Sequence, residues 1–397
     1  MMNTQEDNIS GVITLLESTR LILSHQRKIE ELRGEKFNVF SILRMESKEN
    51  ATHSAFLGEL LNPKGSHLQG DIFLRHFMNV IGLNEFDTSR AKLKLEKWIG
   101  KRDDEMKTGG RVDIFISSNK QIVSIENKIN ARDQNAQIER YCNYNELEKE
   151  HHVYYLTLDG KVASQVGASN LKVGTAYHLL SYKEDIIHWL DLCLKEAADL
   201  PVLRESIKQY RSLIKKLTYT MDKDSEQKLI NAMLKNYQAS DYIAGNFVRA
   251  RRSIGHELQK IVFDKLIQTF DKGDFVVALG NTDHMYMQIW ITPKVDEEKK
   301  YCFGIESFSG EGHGNGLLFI GIHDKNGAPG KKVFGDQINN WWPHHQRLTM
   351  ENDDIFLSNS EVLTKLNNNP EYKNKLADSI VNQSVEFISN NEAYLKK

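Results

Sequence analysis

The 397-residue sequence predicts an α/β or α+β protein with a mixed sheet. Two observations carry this reading. Apolar positions recur at helical spacing up to about residue 81, and the texture then switches to short β-rich runs between 93 and 128. Strand-like and amphipathic stretches then alternate to 217, and a second series of helices and strands follows.

Residues 11–33 set Val12, Leu15, Leu16, Ile22, Leu23, Ile29 and Leu32 at near-helical spacing, which predicts a long amphipathic helix. Its stripe is expected to cap the core, with subunit pairing as the alternative. A helix over 50–61 stops at Asn62-Pro63, and one over 71–81 has Asp71 placed to cap it. LKLEKWI at 93–99 alternates like a strand. RVDIFI at 111–116 and IVSIENK at 122–128 form a hairpin across the polar SSNKQ turn. A helix is expected over 131–149, strands at 152–159 and 175–180, and helices at 181–197 and 202–217. Beyond the polar segment 218–227 come helices over about 226–270, strands at 274–279, 284–292, 300–307 and 316–323, and a helical C-terminus. The second half thus reads as an α+β domain of its own.

A 40% apolar fraction suffices for proper cores, and 27% charged residues suit a soluble surface. Apolar runs are short and broken by charge, so none reads as a membrane span. The opening MMNTQEDNIS lacks the basic and apolar pattern of a signal peptide, and cytoplasm is the expected location. Cys142, Cys193 and Cys302 are far apart in no metal-ligand spacing and read as reduced thiols. The net charge of −2 does not advertise a nucleic-acid binder, although a groove needs only local positive charge.

The chemistry lies in Gly109-Gly110-Arg111-Val112-Asp113 and Ile125-Glu126-Asn127-Lys128. Strand alternation sends Glu126 and Lys128 to one face and Asn127 to the other. With the turn placed symmetrically, pairing indices sum to about 239, so Asp113 faces Glu126 across the hairpin. Opposed carboxylates repel. The arrangement becomes useful when a divalent cation sits between them, and carboxylate oxygens suit Mg²⁺ or Mn²⁺. Such an ion would polarise a phosphodiester, and Lys128 would orient or deprotonate water or stabilise phosphoryl oxygens. The bland alternative is a surface hairpin with a weak Glu126–Lys128 pair. Against it, both carboxylates sit within apolar strands, where unused charge is costly. The following helix shows Gln137 and Tyr141 on one face.

Val112-Asp113, Ile125-Glu126-Asn127-Lys128-Ile129, Ala131, Asp133-Gln134, Gln137 and Tyr141 resemble the PD-(D/E)XK nuclease superfamily, in its bacterial branch with an IENKI-x-A-x-DQ-x-x-QI-x-x-Y block. Glu49, His53-Ser54, Leu60-Leu61-Asn62-Pro63, Gly65-Ser66-His67 and Gly70-Asp71 are similar to that branch's upstream block. The resemblance covers about 37–190. Val112 stands where the superfamily has a nominal proline, and Leu68-Gln69 separate His67 from Gly70. The resemblance implies a restriction-endonuclease-like α/β core, a mixed four- to five-stranded sheet flanked by helices. Together with the boundary read at 218–227, the expected domains are 1–36 (helical), 37–220 (nuclease) and 221–397 (α+β, for target binding, sensing or oligomerisation). The resemblance implies Asp113 and Glu126 as Mg²⁺ or Mn²⁺ ligands with the Asn127 carbonyl as a third, and Lys128 as the catalytic lysine. Glu49 or His53 would add a ligand, with Glu46 competing. Gln137 and Tyr141 would position Lys128 or contact phosphate, against ordinary packing and a surface amide.

The implied function is DNA hydrolysis, in restriction or phage defence. Alternatives are an RNase or tRNase toxin with the same site, and a non-catalytic nucleic-acid-binding or assembly module on a nuclease fold. Nucleic acid is the expected partner, DNA before RNA, with a homodimer and a regulatory partner left open and no membrane. Arg249, Arg251 and Arg252, Lys215-Lys216 and Lys331-Lys332 are small basic clusters that would contact phosphate or form solvated faces. SGEGHGNG at 308–315 lacks a Walker lysine and reads as a turn. His344-His345 after Trp341-Trp342-Pro343 reads as an aromatic loop or a ligand-binding corner.

Overall fold

The computed structural model describes residues 3–129, 131, 133–144, 149–271, 273–282, 284–294, 300–314, 316–327 and 338–396. It divides into two compact units, Met1–Tyr237 and Gln238–Lys397.

The first unit opens with α1 (Asn3–Arg33) and a single turn, α2 (Val39–Ile42). A π-helical turn, Glu49–Ser54, runs directly into α3 (Ala55–Leu61), and α4 (Ile72–Val80) follows. Next come β1 (Lys92–Trp98), β2 (Arg111–Ser117), β3 (Gln121–Lys128), α5 (Gln137–Cys142), β4 (Glu150–Thr157), α6 (Gln165–Ala168) and β5 (His178–Ser181). A second π-helical turn, Tyr182–Ile186, leads into α7 (Ile187–Glu196), then α8 (Pro201–Leu217) and α9 (Lys223–Lys235). The sheet order is β1-β2-β3-β4-β5. The first three strands are antiparallel, whereas β4 lies parallel to β3 and β5 parallel to β4. This is the mixed sheet that the sequence pattern predicts, with a strand number in the four-to-five range that the resemblance implies.

Two apolar clusters flank the sheet. On one face Ile114, Ile116, Val123 and Ile125 join Leu57, Phe73, Phe77, Trp189, Leu190 and Tyr210 from α3, α4, α7 and α8. On the other, Phe115, Ile122, Val153 and Tyr155 pack with Ile138 and Tyr141 of α5. The period-2 alternation of β3 decides which side chains face which cluster.

Two expectations need correction here. Among the described side chains of α1 only Leu15 is buried, while Leu16, Leu21 and Leu32 are exposed. The helix leans on α9 rather than capping the core. Its half-buried positions recur near Val12, Leu15, Thr19, Ile22, Gln26 and Ile29, close to a seven-residue repeat, which gives only a narrow seam. Asp71 makes no side-chain cap on α4. Its carboxylate is taken by Arg75 at 2.7 Å and by the Thr88 hydroxyl.

The second unit is built on α10 (Tyr237–Phe270), which continues the helical run of α9 after a break at Asn236. The strands β6 (Phe275–Leu279), β7 (Ile289–Pro293), β8 (Tyr301–Glu306), β9 (Phe319–Asp324) and β10 (His344–Arg347) form an antiparallel sheet in the order β10-β9-β8-β7-β6. Leu258, Val262, Phe303, Ile305, Ile320 and Ile322 meet Leu376, Ile380 and Phe387 of α12 (Pro370–Asn391) in its core, with α11 (Ser360–Asn368) alongside. The double histidine lies in the edge strand β10, not in a loop. Among the described residues no helix is long and apolar enough to cross a membrane.

Candidate active site

The β2–β3 hairpin pairs Ile114 with Ile125 and Ser117 with Ile122, and Ser118 N donates to Gln121 O at 2.9 Å to close the turn. This is the register in which indices sum to 239, so Asp113 and Glu126 stand one step further along, on the α5 face. Asp113 is 9% exposed, Glu126 1% and Lys128 7%. Lys128 Nζ lies 2.6 Å from Glu126 Oε1. Asn127 N donates to Asp113 Oδ2 at 2.7 Å.

Burial, followed by the Glu126 charge, pushes the Asp113 carboxyl up to about 9. Burial also raises Glu126, against the opposing pull of Lys128 and Tyr141. For Lys128, burial works downward, but the Glu126 carboxylate outweighs it and holds the ammonium above its usual range. Without a metal, Asp113 therefore favours its protonated form beside the Glu126–Lys128 contact.

Gln137 and Tyr141, one turn apart on α5, both reach Glu126. Gln137 Nε2 donates to Oε1 at 2.7 Å and the Tyr141 hydroxyl to Oε2 at 2.8 Å. The Tyr141 hydroxyl also lies 2.5 Å from Arg111 O, and Gln137 Oε1 accepts from Gln134 N at 3.1 Å. They orient the carboxylate, not Lys128, and neither is a surface amide nor mere packing. The helix that carries them spans 137–142 rather than 131–149, because Asp133 is tied to the Tyr155 hydroxyl and Ser164 N, and Ala136 enters the helix with φ 49°. Residues 130, 132 and 145–148 of the expected helix lie outside the described residues.

The upstream candidates separate cleanly. Glu49 Oε1 accepts from Ile129 N at 2.7 Å and Ala131 N at 2.8 Å, so this carboxylate sits at the end of β3 beside Lys128. His53 does not join it. Its Nε2 meets Glu46 O at 2.8 Å and its Nδ1 the Tyr210 hydroxyl at 3.0 Å. A spacing of four brings the two residues near one face, but the His53 ring is taken by Glu46 O and the Tyr210 hydroxyl while the Glu49 carboxylate reaches the end of β3. Glu46 is turned to Lys216 at 3.0 Å and the Ser41 hydroxyl, away from the strands.

Two participants were not read from the sequence. Glu96 occupies the β1 position opposite Asp113, between the Leu95–Ile114 and Lys97–Val112 pairs, and its charge adds to the upward push on Asp113. The run LKLEKWI alternates whatever its polar members do, so nothing marked this carboxylate. Arg140 is buried, and its Nε donates to Gly109 O at 3.1 Å. A side chain at Gly109, where φ is 72°, would collide with Lys101 O. The Gly109-Gly110 pair was the available signal for a backbone clamp there.

Among the described residues no three His, Cys, Asp or Glu side chains form a ready cage for a metal ion. The donors that converge are the Asp113 and Glu126 carboxylates, with the backbone between Glu126 and Lys128. That all-oxygen set suits a hard divalent cation, which would favour the ionised form of Asp113. The basic clusters are largely engaged. Arg251 and Arg252 grip Glu311 at 2.6 and 2.8 Å, Lys216 pairs with Glu46, and Lys331-Lys332 lie outside the described residues.

No curated protein and no solved structure matches the chain. A family model of the PD-(D/E)XK nuclease superfamily matches residues 37–212, the stretch that contains the five-stranded sheet, Asp113, Glu126 and Lys128. That stretch is thus similar to the PD-(D/E)XK nuclease superfamily, and its mixed sheet and flanking helices are consistent with a restriction-endonuclease-like fold.

Proposed function

We propose that the protein is a Mg²⁺- or Mn²⁺-dependent nuclease that hydrolyses phosphodiester bonds of DNA, with Asp113, Glu126 and Lys128 as its catalytic residues. The observation that supports this most directly is a pair of buried carboxylates on adjacent strands with an ammonium 2.6 Å from one of them. Buried like charges are costly in a merely structural hairpin and useful where a cation and a phosphate must be held.

Asp113, Glu126 and the Asn127 carbonyl would hold the metal, which when bound supplies Lewis-acid polarisation and a more acidic water. Gln137 and Tyr141 fix the Glu126 carboxylate in one orientation. Lys128 would donate hydrogen bonds to phosphoryl oxygens, or orient or deprotonate the attacking water. In the reaction a water oxygen bonds to phosphorus as the ester P–O bond breaks, and the departing oxygen takes up a proton. DNA follows from the resemblance of the motif blocks to the superfamily, and a place in phage defence or restriction is part of the same reading.

The test is cleavage of plasmid, linear DNA, total RNA and tRNA with Mg²⁺ or Mn²⁺. Wild type should cut DNA, and Lys128→Ala or Asp113→Ala should abolish cutting while circular dichroism shows a folded chain. Identical behaviour of wild type and Lys128→Ala on all four substrates would remove the catalytic assignment. Cutting confined to RNA would replace DNA with RNA.

A further inference from the structure

Asn127 leaves β3 on the face opposite Glu126 and Lys128, and there it enters a buried polar network. Its Nδ2 donates to Ser54 Oγ at 3.0 Å and lies 3.4 Å from Glu49 O. Its Oδ1 accepts from the Tyr182 hydroxyl at 2.9 Å. The Tyr182 and Tyr210 hydroxyls are hydrogen-bonded to each other, Tyr210 meets His53 Nδ1, and His53 reaches Glu46 O. Asn127, Ser54, His53, Tyr182 and Tyr210 are each no more than 1% exposed.

Five buried polar side chains are an expensive way to fill a core, and satisfied networks of this kind fix one geometry. Aliphatic side chains would pack α8 against the sheet as well. What the network fixes is the π-helical turn Glu49–Ser54. Asn127 holds that turn at the Glu49 carbonyl and at Ser54, while the Glu49 carboxylate holds the Ile129 and Ala131 amides just beyond Lys128. The turn and the end of β3 are thus pinned to each other at two points.

We infer that Tyr182 and Ser54, acting through the Asn127 amide, are positioning residues that hold Glu49 and the backbone after Glu126 in register with the metal-binding carboxylates. The inference rests on the metal site proposed above. Removal of the Tyr182 hydroxyl leaves Asn127 Oδ1 without its donor and frees the amide to rotate, so the Glu49 turn loosens with the ring packing kept.

The test is Mn²⁺ binding by titration calorimetry on the full chain, with cleavage as a second readout. Tyr182→Phe and Ser54→Ala should weaken Mn²⁺ binding by about tenfold or more, the usual effect of losing an outer partner of a metal ligand. Saturating Mn²⁺ should restore most of kcat. Tyr154→Phe is the control: its hydroxyl donates to Ile81 O at 3.3 Å in the same core but outside the network, and its Mn²⁺ affinity should match wild type. If wild type binds Mn²⁺ and Tyr182→Phe and Ser54→Ala bind it equally well, the positioning role is overturned and the nuclease reading stands. If wild type binds no Mn²⁺, both are overturned.

Discussion

Glu126 carries more of the site than any other side chain, because three groups bond its two oxygens. Tyr141→Phe removes the donor to Oε2 and should lower kcat by about tenfold, with the fold intact by circular dichroism. Asp113 makes a separate, pH-dependent contribution. Its folded carboxyl is pushed up to about 9, well above the unfolded value, so folding favours the protonated form. The stability of the metal-free protein should therefore fall as pH rises from the ordinary carboxylate range toward 9. Asp113→Asn should flatten that slope in melting curves taken across pH. Mn²⁺ should raise the melting temperature more at pH 8 than at pH 6, and an equal rise at both would contradict competition between the metal and the Asp113 proton. Of these residues, the convergence of Asp113, Glu126 and Lys128 was legible, since strand alternation and turn symmetry determine it. His53 was not, because spacing alone gives no sign that its ring is taken by Glu46 O and the Tyr210 hydroxyl. Glu96 was hidden by alternation that any strand displays.

At the scale of elements, the hairpin and the parallel strands β4 and β5 were readable from β-rich runs set between turn signals. Strand β10 was not, because HHQR has no apolar alternation and its residues are only half-buried or exposed at the sheet edge. The short α5 was over-read for a different reason. The intrinsic helical pattern of 131–149 is overridden by tertiary ties at Asp133, Gln134 and Ala136. The loop before β2 depends on glycine. Gly109→Ala should cost about 1–3 kcal/mol through left-handed backbone strain and its collision with Lys101 O. Urea denaturation would measure this, and a change within error would show that the loop can shift away from Lys101 freely.

For the molecule as a whole, the composition and the second set of strands foretold an α+β second half, and the compact units divide after Tyr237. The long helices leave no sequence signal there, since the polar segment 218–227 forms the short connection after α8 and the first turn of α9 within the first unit. Each unit has its own apolar core. A fragment of residues 238–397 should therefore unfold cooperatively on its own, as followed by circular dichroism. A non-cooperative melt would mean that the second core is completed elsewhere.

The long first helix has a further consequence. Its 31 residues extend about 46 Å, yet the described side chains bury only Leu15. Local opening there exposes little new apolar surface and breaks few contacts outside the α9 seam. Amide protons of α1 should exchange with solvent orders of magnitude faster than those of β3, whose opening requires dismantling the sheet between two cores. A protease would find its first cut in α1 long before global unfolding, and cleavage there would leave the buried carboxylate pair undisturbed.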